Sequence, residues 1–483
     1  MIAETFALYF PLAKLLLPGL DRTLSAGNAR RAKTVLDQVE AIIEGRNDSA
    51  FSQRTAIFAF SIRILSAAIA YVSQVLMARW MGDFEYGIFV AVWVAIVLLG
   101  GIVCMGFQTG VIRFISEYRE SGADAKLRGA IRGSLVWSLV AATFMALAGA
   151  GLLYVLQEHV TNYFVMPIFL AAICLPSLAL QGIQDGIARA YNWPGTALAP
   201  TFILRPILVL GFMAASTCFG FAADAVTAML AAIFGTWLAS LGQYLALRHR
   251  MRATVPTGPR TFLPRQWFAV ALPIFLIEGF NNLLTNTDIL LVSCYLAPDQ
   301  TAVYFAAAKT LGLVHFVPFA VKTAAAHRIA TYKAAGNRGR YESFIRETIH
   351  WTFWPSLVLA VLLVLTGKYF LMLFGPSFPA GQSVIWILAI GVVFRATVGT
   401  AESVLTMSGE QRACALVYAA GLGVSITLNL ALIPKFGLQG AAIATSIAMA
   451  FEAAALYTAA KRRLGLHVFI VPAQRQFAPA GVT

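Results

Sequence analysis

The chain has 483 residues, 59% of them hydrophobic and only 12% charged, with a mean hydropathy of +0.74 and a net charge of +14. A soluble domain is about 45–50% apolar and about 25% charged. The apolar excess is spread from about residue 55 to about residue 460, which excludes a soluble enzyme with one anchor and describes a polytopic membrane protein. Positive charge of this size marks nucleic-acid binding in a soluble domain; in a membrane protein it marks Lys and Arg gathered in cytoplasmic loops.

Residues 1–54 precede the first long apolar run. The first 20, "MIAETFALYFPLAKLLLPGL", are apolar but broken by Pro11, Lys14 and Pro18, and lack the basic leader and small-residue cleavage site of a signal peptide. The next 30 are of mixed charge. Two readings fit: an interfacial segment followed by a short cytoplasmic helix, or a start codon placed too far upstream.

Apolar runs of about 20 residues follow near 57–78, 87–107, 132–156, 163–182, 199–219, 224–247, 267–296, 301–322, 350–367, 382–406, 413–433 and 438–460. Each is long enough to cross a ~30 Å hydrocarbon core as a helix. With both termini cytoplasmic, about 28 of the 36 Lys and Arg fall on that side and only Arg79, Lys368 and Lys435 on the other. Adding or losing one span would scramble this asymmetry. The expected fold is all-α, about twelve transmembrane helices in two six-helix halves: 55–247 and 267–460, joined by a basic linker at 248–266 and followed by a cytoplasmic tail at 461–483.

The halves carry a matching pattern. "MGDFEYGIFVAV" at 81–92 and "LAPDQTAVYFAAA" at 296–308 each read as a helix end, a tight polar turn and a new helix opened by a small residue and an aromatic. Repeated halves with a site between them are a common transporter plan. The five cysteines (Cys104, Cys174, Cys218, Cys294 and Cys414) stand singly in apolar segments and read as small packing residues.

Catalytic signatures are missing. There is no G-x-x-x-x-G-K-[ST], no H-E-x-x-H, no G-x-S-x-G and no acidic pair in a loop that would hold a metal for sugar transfer. The loops are too short for a catalytic domain. No enzyme, no bound metal and no cofactor are expected.

Four stretches resemble the polysaccharide transporter family of the MATE-like MOP flippase superfamily: "MARWMGDFEYGIF", "NTDILLVSCYLAPDQTAVYFAAAKTL", "YFLMLFGPSFPAGQSVIWILAIG" and "LTMSGEQRACALVYAAGLGVSITLNLALIPKFGLQGAAIATSIA". No one motif is specific; their order and spacing along the spans are. The resemblance covers about 55 to 465, and the longer N-terminus departs from the family pattern. It implies a flippase of the bacterial inner membrane that translocates undecaprenyl-pyrophosphate-linked oligosaccharides for O-antigen lipopolysaccharide or exopolysaccharide, driven by a proton or sodium gradient. Membrane lipids, the polymerase and the glycosyltransferases of the pathway are the implied partners. The competing readings are a peptidoglycan-precursor flippase, a MATE-type exporter and, from another class, a membrane-embedded glycan polymerase or ligase. A long outer loop with clustered Arg and His would favour the enzyme.

The polar residues inside the spans are the candidate site. In "IEGFNNLLTNTDILL", 277–291, Glu278, Asn281, Asn282, Thr285, Asn286 and Asp288 share an arc of about 160°, with Thr287 pointing away. A polar face at membrane depth looks at a water-filled cavity or at a partner helix. The asparagines either line the cavity or bridge helices. Asp288 and Lys309, each about nine residues from the turn at 297–300, sit at similar depth and either form a structural ion pair or serve the cavity. Glu278 has no partner evident in the sequence and is the candidate ion-coupling carboxylate. Arg63, Arg205, Lys309 and Arg395 lie within spans, where an unpaired charge costs several kcal/mol. They are assigned to a cationic cavity that receives the pyrophosphate through charge-assisted bonds. The plain alternative for Arg63 and Arg205, near a membrane edge, is snorkelling, and Lys322 reads as a snorkeller. Glu402 and Glu452 are possible partners of Arg395. His315 reads as a hydrogen-bonded core histidine. Prolines 167, 176, 206, 273 and 318 are candidate kinks.

Overall fold

A computed structural model of the chain describes residues 48–322, 325, 332 and 338–470, with side chains from Ile62 onward except Arg63. The chain divides into two compact units, 1–61 and 62–483. Of the first, only the helical backbone from Asp48 is described, so the expected interfacial segment lies outside the described residues. Everything below concerns the second unit.

The described residues are helical, with no strand. In chain order the helices are α1 (Asp48–Val103), α2 (Phe107–Glu120), α3 (Asp124–Leu156), α4 (Asn162–Ala190), α5 (Pro194–Ala199), α6 (Arg205–Cys218), α7 (Ala225–Thr254), α8 (Pro264–Tyr295), α9 (Pro298–Leu311), α10 (Arg338–Met372), α11 (Gln382–Ala396), α12 (Ala401–Met407) and α13 (Gln411–Leu464). A π-helical turn, Pro200–Leu204, joins α5 to α6.

Among the described residues, ten stretches are long and apolar enough to cross a membrane. Two of them hold two crossings. Within α1 the chain reverses at Gly82, which takes φ 76°, open to glycine at no steric cost. The reversal lets the Tyr86 hydroxyl donate to Gln74 Oε1 at 2.7 Å, across residues that a straight helix would hold far apart. Within α13 the same happens at Gly437, φ 56°, and Gly440 returns against the Leu432 carbonyl. Twelve crossings result, a multi-pass membrane protein. Its outer faces are apolar: α3 exposes Phe144, Leu147 and Val155 to the surroundings.

The helices overrun the apolar runs. α7 continues to Thr254 and α8 opens at Pro264, so the connection between the halves is residues 255–263, shorter than the predicted 248–266. Backbone hydrogen bonds carry a helix past the hydrocarbon whether its side chains are apolar or basic. The connection is held down: the Arg128 guanidinium donates to the Pro259 and Pro256 carbonyls at 2.9 and 3.0 Å, and Thr261 N to Ala125 O at 2.9 Å. At the other end α13 runs to Leu464. The chain then turns back, burying Val468, and the Ile470 amide donates to the Thr397 carbonyl at 3.0 Å.

Among the described residues four crossings are broken, the eighth by a 3₁₀ turn at Gly312–His315. The second is interrupted at Cys104–Gly106, where Met105 takes φ 45° and Gly106 φ 77°. The fifth holds the π-turn. The tenth is broken at 397–400, between α11 and α12. Discontinuous helices at membrane depth place backbone ends and polar side chains where a cavity needs them.

Candidate functional site

The matching turns of the two halves meet at the end of the bundle with short loops. Gly87 lies against the Pro298 carbonyl so closely that a Cβ would overlap it. Tyr86 is fully buried and packs its ring against Phe305 and Phe378, both at 6.3 Å. Tyr71 meets Phe374 edge to face at 5.5 Å and bonds Thr310 at 3.0 Å. Arg79 reaches from α1 to the carbonyl of Met372 at 3.2 Å, binding the end of α10, where carbonyls lack helical partners. An aromatic plug therefore closes this end between the halves.

Behind the plug lies a cavity of about 1090 Å³, lined by residues from both halves. It is at or above the ~300–1,000 Å³ of ordinary small-molecule sites. It extends towards the basic end of the helices. Exposure follows that direction: the Lys322–Glu402 pair near that end is 49% and 32% exposed, the deeper Arg395–Glu452 pair 22% and 10%.

The polar arc of α8 faces this cavity. Asn281, Asn282, Thr285, Asn286 and Asp288 line it, and Thr287 does not. Asn281 and Asn282 are exposed to it, and Asn286 Nδ2 bonds only back to the Asn282 carbonyl at 2.9 Å, so these amides face open space and do not bridge helices.

Asp288 and Lys309 do not form a direct ion pair. Asp288 is buried and accepts from Tyr304 Oη at 2.8 Å and Thr445 Oγ1 at 3.4 Å. The Lys309 amine stands 5.0 Å over the Phe305 ring. Similar depth puts the two charges near each other, but the hydroxyls of α9 and α13 reach the carboxylate first.

Glu278 has partners that the sequence hid. It lines a small hollow beside the main cavity. Its Oε1 accepts from Thr109 Oγ1 at 2.6 Å and its Oε2 from Gln108 Nε2 at 3.0 Å. Both donors lie in the first turn of α2, just past the break in the second crossing. The bonds join the two halves. A polar pair, Gln108 and Thr109, following Gly106 inside an apolar run was the available signal.

Arg395 Nε donates to Glu452 Oε1 at 2.8 Å, and Lys322 Nζ to Glu402 Oε1 at 2.9 Å. Lys322 is thus a member of the cavity wall and not a snorkeller. His315 is hydrogen-bonded to the backbone at Gly312, as expected, but it lines the cavity and is exposed to it rather than packed in the core. Arg205 projects into the cavity from the N-terminal half, its guanidinium 5.6 Å over the Trp93 ring. The side chain of Arg63 lies outside the described residues. Trp93, Tyr304 and Thr445 are site residues that sequence reading passed over: uncharged groups in apolar runs look like packing.

Two apolar-walled halves around a polar cavity closed at one end have the architecture of a membrane transporter. Residues 52–327 match the polysaccharide biosynthesis protein family, and residues 273–431 match the MatE family. The chain belongs to the polysaccharide biosynthesis protein family, with the fold of the MATE-like MOP superfamily. It is 23% identical over 414 residues to a Shigella flexneri protein named "Putative O-antigen transporter", covering 82% of this chain and 94% of that one. Among solved structures, an inward-facing multidrug-resistance MATE transporter of the MOP superfamily matches with TM-score 0.65 at 15% identity, covering 84% of this chain and 94% of that one. A MOP transporter from Pyrococcus furiosus matches with TM-score 0.66 at 15% identity, covering 88% and 97%. The lipid II flippase MurJ in its inward closed conformation matches with TM-score 0.64 at 16% identity, covering 84% and 87%.

Proposed function

We propose that this protein is a flippase that moves undecaprenyl-pyrophosphate-linked oligosaccharide repeat units across the bacterial inner membrane. The observation that carries the reading is the cavity: polar, lined by cations from both halves and closed at one end by the aromatic plug. The basic end is assigned to the cytoplasm by the distribution of Lys and Arg, with both termini there. The cavity is then open inward. Asn281, Asn282 and Asn286 offer donors and acceptors to sugar hydroxyls. Arg205, Lys309 and Arg395, with Arg63, supply the field for the pyrophosphate, and the polyprenyl tail stays in lipid. Opening of the plug and closure of the basic end would present the glycan to the far side.

A proton or sodium gradient biases these states. Glu278 is the coupling carboxylate in this reading, because its bonds to Gln108 and Thr109 tie one half to the other only while it can accept twice. A ligand shifts such an equilibrium only by binding one state better than the other. The protein performs no covalent chemistry.

The test is the lipid extract of a deletion strain. Complete repeat units held on the cytoplasmic leaflet, with surface glycan lost, support the flippase. Single units on the outer leaflet, present but not joined, would instead make the step polymerisation or ligation. Accumulated peptidoglycan precursor with normal surface glycan would assign the other lipid-linked substrate.

A further inference from the structure

Charge in the cavity does not spread evenly over its walls. Among the described lining residues there are four cations, Arg205, Lys309, Lys322 and Arg395, and three carboxylates, Asp288, Glu402 and Glu452. All but Arg205 lie in the C-terminal half. There Arg395 bonds Glu452 and Lys322 bonds Glu402, while Lys309 lies within the field of Asp288. The C-terminal wall is internally balanced. The cation over is Arg205, on the opposite wall.

Arg205 is also held ready. Pro206, next in the chain, has no N–H to donate to Phe202 and would crowd that carbonyl. The helix widens there into the π-turn, closed by Arg205 N to the Pro200 carbonyl. The side chain leaves this turn into the cavity and lies over Trp93, itself stacked at 6.0 Å on Phe89 one turn earlier. Gln181 Oε1 accepts from Arg205 Nη1 at 3.4 Å, and the Gln181 amide is fixed by the Thr236 carbonyl at 3.2 Å. A guanidinium held over an aromatic face by its charge still has N–H donors to offer other acceptors. One of five donors is engaged, and weakly. A planar fork with open edge donors takes two oxygens of one oxyanion.

We infer that Arg205, positioned by Trp93, is the oxyanion anchor of the cavity, and that the anion is carried by the N-terminal half. This rests on the flippase reading and refines it. The oxyanion is a phosphate of the lipid linkage or the carboxylate of an acidic sugar.

The experiment uses the purified full-length protein in detergent, titrated separately with inorganic pyrophosphate and with glucuronate, binding being followed by ligand-observed NMR. For at least one probe, Arg205→Gln lowers affinity at least tenfold and Arg205→Lys by less. Trp93→Ala lowers it about fivefold; Trp93→Phe restores it, and Trp93→Leu, which fills space without a π face, does not. Lys126→Gln, exposed in the first turn of α3, binds as wild type, and unfolding temperatures check that each variant is folded. Dependence on Arg205 for pyrophosphate assigns the linkage; dependence for glucuronate alone assigns an acidic sugar. Wild-type affinity of a folded Arg205→Gln for both probes overturns the anchor, as does binding of neither probe by the wild type. Export that still fails in the deletion strain would then leave the flippase reading standing. Arg205-dependent binding with normal export in that strain would remove the flippase and keep the anion site.

Discussion

Glu278 sits where a helix begins inside the membrane. Its two oxygens accept from Thr109 and Gln108 in the first turn of α2, and a negative charge near a helix N-terminus gains a further ~0.3–1 kcal/mol, more when partly buried. Removing the charge removes that term and one acceptor together. Glu278→Gln is therefore expected to keep glycan binding and lose the dependence of export on the gradient. Export measured in vesicles with the proton or sodium gradient dissipated checks this; a variant as gradient-dependent as the wild type would take Glu278 out of coupling. Arg395 calls for a different reading from an isolated cavity cation. Cutting a buried ion pair at one partner leaves the other charge stranded, at a cost of about 3–5 kcal/mol for a fully buried pair; cavity water reaches this one, so about 3 kcal/mol is expected. Arg395→Ala should lower the amount of folded protein in the membrane as well as export. Adding Glu452→Gln should restore the amount, read by immunoblot and thermal unfolding. A single variant with unchanged levels would mean that the pair does not hold the C-terminal wall.

At the scale of the element, the π-turn Pro200–Leu204 is the clearest case of a helix shaped by one residue. Pro206→Ala returns the N–H and removes the ring. The turn can then tighten to α, and residues on one side of it rotate by about 100° relative to the other. Arg205 would leave its place over Trp93. Export should fall at least tenfold with membrane levels unchanged, and wild-type export would show that the turn does not aim Arg205. Such breaks mark the limit of what could be read from the residues. Crossings were legible because the need to bury about 20 apolar residues is visible without any partner, and the polar arc of α8 was legible because a helix repeats every 3.6 residues. The interruption at Met105–Gly106 and the bonds of Glu278 were not, since they depend on which helix lies opposite. Asp288 seemed matched to Lys309 by depth alone, while Tyr304, on the same helix as Lys309, and Thr445 of α13 claim it. The charge balance of the C-terminal wall likewise needed the helix order, which places Glu452 of α13 beside Arg395 of α11.

For the whole molecule, the two halves are held at one end by an aromatic plug and a backbone contact, and along α2 and α8 by the bonds of Glu278. In the proposed cycle, opening the far end would part Gly87 from Pro298 and free Arg79 from the end of α10. Gly87→Val puts a branched side chain into that contact. The closed far end should lose population to states in which the turns part, seen as longer distances between spin labels at Phe84→Cys and Gln300→Cys. Unchanged distances would mean that the contact yields locally and is not part of the gate.

The same contact separates two properties that most core positions tie together. A side chain at Gly87 collides with Pro298 only while the far end is shut. In a state with the turns apart it faces open space, so the chain can fold and insert with the larger residue in place. Variation at Gly87 would then escape any screen for abundance or melting temperature and show itself in turnover alone. A survey of variants by stability would pass over this position, and only an assay of turnover would find it.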